Sequence, residues 1–461
     1  MEGMPADLVL TNAKLLYGTE LVEGGIAVDD GKITAVAREP HLPKAERVRD
    51  CNGMVVIPGA IDPHLHLGAV MGLASEIRTE TRSAAKGGVT TIMTLLREHL
   101  IGGPYLDAYA QTVAITEANS TCDVAFHIGI QEERHLQELR RYFSELGSAS
   151  FKFRMTYARN ELLKTGAPPV DDGTILDGML AIRELGPPAV AMIHCESADI
   201  VARSQKRILE SKRDDLAAFE ESRPLEAETH AILRAAYLSK VANCPLYLPH
   251  VTSREAMEIV RYYRSLGCRI YAETCPQYLT LTKDSSTGAL GVVNPPLRGR
   301  DQMEALWEPV SNGLVDCIGT DHVTTLRAKK TSVFGVEIKG FPGVGTMLPV
   351  MISEGFHKRG IPLSRIVELC SYNTARIFGL YPRKGVIQVG ADADLVILDL
   401  KKETRVTAEV MESASDFSLY EGTLVKGWPM VTLLRGIEIA SDYEVVGTPG
   451  IGKVVPRNGH R

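Results

Sequence analysis

The sequence predicts an α/β protein in which a (β/α)8 TIM-type barrel carries a small β-sandwich built from both termini. Two observations predict this fold. Eight short, apolar, β-branched runs alternate with longer segments of amphipathic helical spacing, and strand-like alternation around Gly and Asp–Gly turns marks both ends. We therefore expect the sandwich to take residues 1–57 and 386–461, and the barrel to take residues 58–385.

The eight apolar runs are expected to be the barrel strands, in chain order. They occupy residues 54–67, 88–96, 122–130, 148–155, 189–197, 244–253, 268–275 and 314–322. A helical segment follows each one, such as SREAMEIVRYYRSLG, which begins with the capping residue Ser and stops at Gly. A doubly wound parallel sheet is the alternative, but no GxGxxG motif opens any of the predicted helices.

Both ends of the chain are expected to form hairpins. Residues 6–57 alternate apolar and polar positions, and so do VIQVGADADLVILDL, ETRVTAEVM and MVTLLRGIEIA within residues 386–440. Neither end is long enough for a sandwich of its own, so we expect one shared sandwich beside the barrel. The tail from residue 445 is rich in Gly and Pro and is expected to be irregular.

The composition narrows the class of protein. Hydrophobic residues make up 44% of the 461 and charged residues 23%, as is usual for a soluble globular enzyme. A net charge of −6 offers no basic footprint, so we expect no nucleic-acid partner and no membrane contact. The first residues do not resemble a signal peptide, and the eight cysteines are scattered singly, so we expect reduced thiols and a cytoplasmic location.

Two histidines end the first predicted strand, in the sequence IDPHLHLG. Residues two apart on a strand point to the same face, so His64 and His66 are both directed into the barrel mouth. One buried histidine is usually a hydrogen-bonded core residue, but two on one apolar face need two partners. A metal ion satisfies both, because imidazole is a common metal ligand.

Other strand ends carry similar side chains. The chain has 12 histidines, and two more of them, His194 and His250, end the fifth and sixth predicted strands. Asp321 ends the eighth strand and Lys152 lies near the end of the fourth. Because catalytic groups of such barrels gather at the C-terminal ends of the strands, these residues predict a metal centre.

Lys152 has two interpretations. An ammonium has no lone pair and cannot ligate a metal, so Lys152 could extend to the barrel rim as an ordinary cation. Reaction with carbon dioxide would instead give a carbamate, an anion whose two oxygens can bridge two metals. The charge balance favours the carbamate, since an ammonium beside two divalent ions would add to their positive charge.

The order of motifs resembles that of a known family. The chain carries, in sequence, PGAIDPHLHL, SFKFRMTY, IHCES, LPHVTS, AETCPQYL, NPPLR, IGTDH and the run from NTARIFGL to DLVILD. In this it resembles the cyclic amidohydrolases, namely hydantoinases, dihydropyrimidinases and allantoinases, with dihydroorotases as cousins. The resemblance covers nearly the whole chain and implies a homo-oligomer, a tetramer or a dimer.

The resemblance also implies the metal ligands. Two Zn²⁺ ions, or other divalent metals, are expected in each subunit, bridged by N6-carboxylated Lys152. His64, His66 and Asp321 resemble the ligands of the more buried metal, and His194 and His250 resemble those of the more exposed one.

The same resemblance implies roles beyond the metals. Asp321 is expected to take the proton from the hydroxide as it attacks and to pass it to the leaving nitrogen. Tyr157 resembles the tyrosine that hydrogen-bonds the reacting carbonyl oxygen, and Asn294 occupies the position whose backbone holds the amide edge of the substrate.

Some residues depart from the family pattern. Leu67 and Gly68 follow the second histidine, where dihydroorotases have x-Arg to bind a carboxylate. Lys339 stands where hydantoinases usually have Asn beside the substrate ring, and Arg154 replaces an apolar residue. Together with Arg97, these cations predict a substrate with an anionic substituent, although each could instead pair with a nearby acid such as Glu98 or Glu337.

The implied function is hydrolysis of the C–N bond of a small cyclic amide, by a binuclear zinc hydroxide. The substrate is expected to be a hydantoin, a dihydropyrimidine or a cyclic imide. One alternative is an allantoinase or another ring-opening amidohydrolase. The other is a catalytically silent dihydropyrimidinase-like scaffold, but such scaffolds lose metal ligands and this chain retains all six candidates.

Overall fold

The computed structural model describes residues 5–17, 19–155 and 170–457. Within these ranges the chain forms seventeen strands, which divide between two sheets. The strands are β1 (Ala6–Tyr17), β2 (Glu20–Asp29), β3 (Lys32–Ala37), β4 (Ala45–Asp50), β5 (Val55–Pro58), β6 (Ala60–His66), β7 (Val89–Leu96), β8 (Asp123–Gly129), β9 (Ser150–Arg154), β10 (Val190–His194), β11 (Leu246–Leu248), β12 (Ile270–Thr274), β13 (Cys317–Ile318), β14 (His322–Val323), β15 (Leu395–Arg405), β16 (Leu424–Leu434) and β17 (Ile437–Ser441).

The first sheet is a closed parallel barrel. Its strand order is β13, β12, β11, β10, β9, β8, β7, β6 and β14. The eighth position is divided, because β13 pairs with β12 while β14 pairs with β6, so residues 317–323 close the ring. The predicted (β/α)8 barrel is confirmed, and each of the eight predicted runs contains a barrel strand, the last one containing β13 and the first residue of β14.

Helices alternate with the barrel strands. Ser253 shows how one begins: its hydroxyl accepts a hydrogen bond from the backbone N–H of Ala256, and the helix ends just before Gly267, which has a φ of +83°. The longer helices are Leu73–Lys86, Tyr105–Asn119, Glu133–Ser144, Asp172–Leu185, Ala198–Glu210, Leu216–Ser222, Leu225–Ala242, Arg254–Ser265 and Met351–Lys358. Shorter helical segments are Glu39–His41, Glu98–Ile101, Pro276–Thr280, Gly288–Gly291, Arg300–Ala305, Trp307–Asn312, Arg327–Lys329, Val344–Thr346, Met347–Val350, Leu363–Val367, Glu368–Tyr372, Asn373–Ile377 and Ala408–Met411.

The second sheet joins both termini, as predicted. Its order is β17, β16, β15, β5, β1, β2 and β3, with β4 beside β1, so β5 links the N-terminal strands to the C-terminal ones. The sheet folds back on itself, because Ile33 of β3 exchanges backbone hydrogen bonds with Gly390 and Ala391, just before β15. Apolar side chains from both halves, such as Leu10 and Ile397, share one core inside this fold. The exact boundaries 1–57, 58–385 and 386–461 stay a prediction.

Gly59 marks the passage from this sheet into the barrel. Its backbone N–H donates to Asp394 O at 2.8 Å, and a Cβ at this position would lie 2.2 Å from the hydroxyl oxygen of Thr90. The single apolar run at 54–67 therefore becomes two strands that serve different sheets.

Two expectations for the C-terminal third need correction. In VIQVGADADLVILDL the strand begins only at Leu395, because Gly390 and Ala391 turn toward β3. The second half of ETRVTAEVM is a helical turn, Ala408–Met411, rather than a strand. Thr407 causes this, since its hydroxyl caps the turn by accepting from the backbone N–H of Val410.

The tail has no regular strand through residue 457, as expected, yet it pairs with the barrel. Val124 of β8 donates its N–H to Lys453 O and accepts from the N–H of Val455. Val455 is buried among apolar side chains of the barrel interior. The tail therefore covers the start of β8.

The eight cysteines are all free thiols, and all except Cys268 are buried. Among the described residues, no helix combines the length and apolar character needed to cross a lipid bilayer.

Candidate metal centre

The mouth of the barrel brings His64, His66 and Asp321 together. His66 Nε2 lies 2.9 Å from Asp321 Oδ1, and His64 Nε2 lies 3.5 Å from the same oxygen. One possible ligand atom from each residue falls within 4.8 Å of the others. Such a group of two imidazoles and one carboxylate is a donor set suited to a divalent metal.

The other predicted ligands border this group. The ring centroids of His194 and His250 are 4.6 Å apart, and His250 is 5.3 Å from His64. Lys152 Nζ lies 3.4 Å from His64 Nε2, and its side chain is almost completely buried. The structure thus brings all six strand-end residues into one cluster, and their assignment as ligands stays a prediction.

Two of these residues have an unusual backbone. His250 has a φ of +43° and Asp321 a φ of +52°, both in the left-handed region that non-glycine residues rarely adopt. His250 lies two residues after β11, and Asp321 lies between β13 and β14. Strained conformations of this kind concentrate at functional sites, where the surrounding structure holds a side chain in a required direction.

The protonation of the four histidines suits metal binding. Burial, together with nearby cations and imidazoles, lowers the pKa of His64, His66 and His250 well below its usual value. Burial also lowers the pKa of His194. Neutral imidazoles keep a nitrogen lone pair available for a metal.

Buried acids orient His64 from behind. Its Nδ1 lies 3.2 Å from Glu273 Oε1, and the other oxygen of Glu273 accepts a hydrogen bond from the hydroxyl of Tyr247 at 2.8 Å. Asp62 accepts from the backbone N–H groups of His64 and Thr320. With Nδ1 turned toward Glu273, His64 presents Nε2 to the cluster.

A second buried acid orients His194. His194 Nε2 lies 2.7 Å from Glu196 Oε2, and the guanidinium of Arg223 donates to both oxygens of Glu196 at 2.9 and 2.8 Å. Arg223 lowers the pKa of Glu196 despite its burial, so the carboxylate stays ionised. Since Nε2 faces Glu196, Nδ1 is the nitrogen of His194 left for a metal.

The remaining predicted site residues lie in different places. Tyr157 lies outside the described residues. Arg154 ends β9 and pairs in register with His194, beside the cluster. The segments that carry Asn294 and Lys339 meet, since Gly340 N donates to Val292 O at 2.9 Å.

Lys339 and Asn294 differ in their surroundings. Burial, and then the positive charge of Lys339, lowers the pKa of Lys330, which donates to Leu290 O and Val292 O. Asn294 Oδ1 is buried and has no hydrogen-bond partner in the described parts of the chain. The roles of both residues in substrate binding stay predictions.

The sequence reasoning missed the supporting acids. Asp62 lies two residues before His64, and Glu196 lies two after His194. The i, i+2 spacing that placed His64 and His66 on one face of a strand could also have identified both acids. Glu273 carried no such signal, because it reaches His64 across the barrel from β12.

Comparison with known proteins gives consistent results. The sequence profile of the amidohydrolase family matches residues 190–428. A D-hydantoinase of Geobacillus stearothermophilus is 34% identical over 97% of this chain and 96% of its own length. An allantoinase of Solibacter usitatus is 32% identical over 96% of each chain.

A comparison with solved structures gives the same family. An L-hydantoinase (dihydropyrimidinase) from Arthrobacter aurescens superposes with a TM-score of 0.90 at 32% identity, covering 98% of this chain and 100% of the other.

Proposed function

The chain belongs to the amidohydrolase family, and from that premise we propose that it is a metal-dependent hydrolase that opens the ring of a cyclic amide. The observation that carries this proposal is the convergence of His64, His66 and Asp321 at the barrel mouth, next to two further histidines. The relatives of this chain that match nearly its whole length are named as hydantoinases or as an allantoinase.

The residues present fit a pair of divalent metals. Four neutral imidazoles and one carboxylate supply enough ligands for two ions, which we propose to be zinc. Whether these residues can hold two metals depends on Lys152, because a buried ammonium at 3.4 Å from His64 Nε2 would repel a metal. Burial lowers the pKa of Lys152, so its neutral amine can react with carbon dioxide. The resulting carbamate would hold both metals.

We propose that Asp321 moves a proton during the reaction. A metal pair bound here would lower the pKa of water toward neutrality and polarise the scissile carbonyl. Burial raises the pKa of Asp321 in the metal-free protein, which suits a group that first accepts and then releases a proton. Asp321 takes the proton from the hydroxide as it attacks and passes it to the ring nitrogen as the C–N bond breaks, so the product is an open-chain acid.

Two residues are proposed to hold the substrate. Tyr157 donates to the oxygen of the reacting carbonyl, and Asn294 binds the amide edge of the ring. The buried Oδ1 of Asn294, without a partner among the described residues, supports a further contact with a ring N–H.

The substrate proposed is a hydantoin, a dihydropyrimidine or a cyclic imide. The second candidate is an allantoinase, because one of the similar proteins is an allantoinase at 32% identity. Both candidates use the same centre and differ only in the ring that it accepts.

We also propose that the protein is a homo-oligomer, a tetramer or a dimer. The helix Leu225–Ala242 exposes Leu233, Tyr237 and Val241 on one face, and Tyr262 of the neighbouring helix adds a further exposed aromatic ring. An apolar face of this kind is typical of subunit contacts.

Metal analysis and a substrate panel test the proposed function together. We expect two divalent ions per chain and ring opening of at least one cyclic ureide or imide. Asp321→Asn should reduce kcat by roughly 10²-fold or more, the usual range for loss of a general acid–base group, while part of the metal stays bound. No ring opening by fully metallated protein across the panel would contradict the proposal.

A further inference from the structure

The backbone of Asp321 is strained, and hydrogen bonds hold the residues on both sides of it. Its φ of +52° lies in the left-handed region, which a non-glycine residue keeps only where the surrounding structure enforces it. Asp321 lies in the break between β13 and β14 and belongs to neither strand. The contacts of its two chain neighbours are therefore what fixes its conformation.

Thr320, the residue before Asp321, is bound through each of its polar atoms. Its N–H and its hydroxyl donate to the two oxygens of Asp62, at 3.1 and 2.5 Å. The hydroxyl also accepts from the backbone N–H of His322 at 3.2 Å, and the carbonyl of Thr320 accepts from Nε2 of Gln277 at 2.9 Å. The hydroxyl thus spans Asp321, because it joins Asp62 to the residue that follows Asp321.

Asp62 connects this segment to the strand of the two histidines. Its Oδ1 also accepts from the backbone N–H of His64 at 3.1 Å, and both Asp62 and Thr320 are buried. Since Asp62 only accepts in these three hydrogen bonds, its ionised form satisfies all of them. One carboxylate therefore holds the backbone of His64 in β6 and of Thr320 beyond β13.

This arrangement places the side chain of Asp321 against two imidazoles. Its Oδ1 lies 2.9 Å from His66 Nε2 and 3.5 Å from His64 Nε2. The side chain of an aspartate is short, so a change of the backbone at Asp321 would move this oxygen away from the imidazoles. Metal ligands need a fixed orientation, which the groups bound behind them supply.

We propose that Thr320 is a positioning residue for Asp321: its hydroxyl, bound to Asp62, holds Asp321 in the strained conformation in which it shares one metal with His64 and His66. The inference rests on the proposed metal-dependent function and adds to it the group that sets the geometry of one metal site. Because Thr320 acts through Asp321, its loss should weaken metal binding and slow turnover without weakening substrate binding.

Thr320→Ala and Thr320→Ser form a matched pair that isolates the hydroxyl. Alanine lacks both the hydroxyl and the methyl group, whereas serine lacks only the methyl group. Zinc affinity is measured by competition with a chelator, in the absence of substrate. We expect one of the two zinc ions to bind roughly 10- to 100-fold more weakly in Thr320→Ala, the range typical of groups that orient metal ligands, and Thr320→Ser to restore most of that affinity.

Steady-state kinetics at saturating zinc give a second readout. The kcat for the best ring substrate should fall by roughly 10- to 100-fold in Thr320→Ala, because a misplaced Asp321 transfers the proton poorly. The KM should stay the same, since no group that contacts the substrate is removed. A general loss of folded protein would not separate kcat from KM in this way.

Thr432→Ala is the control for the loss of a buried hydroxyl. Thr432 is as buried as Thr320, and its hydroxyl donates to Ala85 O at 2.7 Å, where β16 packs on a barrel helix. This variant should lose stability but keep both zinc ions and its kcat. Should Thr320→Ala fail to fold, Thr320→Val, which keeps the shape of the side chain without the hydroxyl, takes its place.

Two results would overturn the positioning role while leaving ring opening intact. One is unchanged zinc affinity and kcat in Thr320→Ala, and the other is an equal loss in Thr320→Ser, which would assign the effect to the methyl group. Absence of bound zinc from the unmodified protein would instead refute the proposed function, and the positioning role with it.

Discussion

Single buried groups decide whether the barrel mouth can hold metals. Lys152 is the residue whose chemistry matters most, because it is buried beside His64 and has a lowered pKa. As an ammonium it would oppose metal binding, and as a carbamate it would assist it.

We expect Lys152→Ala to lose most of its metal and most of its activity, because the bridging anion is removed. Added formate, acetate or propionate should restore part of the activity by replacing the carbamate. Metal content per chain and ring opening with and without the added acid are the measurements. Full metal content and full activity in Lys152→Ala would exclude the bridging role.

Glu196→Gln tests the support of His194. The amide keeps the size of the side chain but loses the charge that orients the imidazole and binds Arg223. Residues of this kind typically change metal affinity or activity by about 10- to 100-fold. We expect a loss of that size in zinc affinity, measured by competition with a chelator. Glu98→Gln, at an acid bound to Arg134 outside the cluster, is the matched control and should retain its zinc.

At the scale of elements, the Gly- and Pro-rich tail pairs with a barrel strand, although its composition predicts only irregular structure. Its backbone pairs with Val124, its Ile451 carbonyl accepts from Arg435, and Lys453 N donates to Asp123 at 2.8 Å. The irregular segment thus acts as a partial strand that caps β8.

Truncation after Pro449 should therefore destabilise the barrel. Loss of the two backbone hydrogen bonds with Val124 and exposure of Val455 alone predict a decrease of roughly 3–5 kcal/mol in the free energy of unfolding, and residues 450–457 make further backbone hydrogen bonds to Ser120 and Gly147. Denaturant titration measures it, and a chain lacking only residues 458–461 is the control. Equal stability of the two truncated chains would show that pairing with β8 contributes nothing.

At the scale of the whole molecule, one buried lysine joins the two sheets. Lys384 Nζ lies 2.7 Å from Asp123 of β8, and 2.5 and 3.1 Å from Asp394 and Asp392, which lead into β15. These carboxylates raise the pKa of Lys384, and its charge helps to keep the pKa of Asp123 low. The ammonium thus occupies the centre of a three-carboxylate cluster.

We expect Lys384→Met to cost about 3–5 kcal/mol at pH 7, because buried Asp394 loses its counterion, whereas Asp123 keeps Arg435 and Asp392 keeps Lys32. Burial already raises the pKa of Asp394 in the folded protein, and loss of Lys384 raises it further, so protonation favours the folded variant. The difference in free energy of unfolding between variant and unmodified protein should then shrink as the pH falls from 7 to 5. Denaturant titration at both pH values checks this, and a constant difference would contradict it. Lys402→Met, at an exposed lysine of β15, is the control.

The sequence determined the barrel, the shared terminal sheet and the cluster at the barrel mouth. Alternation within single strands was enough for His64 and His66, and the common edge of parallel strands was enough for His194, His250 and Asp321. These rules need only the residue pattern within a strand or the order of the strands, so a single sequence is enough to apply them.

Only the tertiary structure decided what surrounds that cluster. Glu273 reaches His64 from another strand, Arg223 reaches Glu196 from a later segment, and Thr407 turns a strand-like sequence into a helical turn. The approach of Arg97 to His66 also depends on how β6 and β7 lie side by side. Side-chain contacts of this kind depend on distances between elements remote in sequence, and the periodicity of a single segment does not contain those distances.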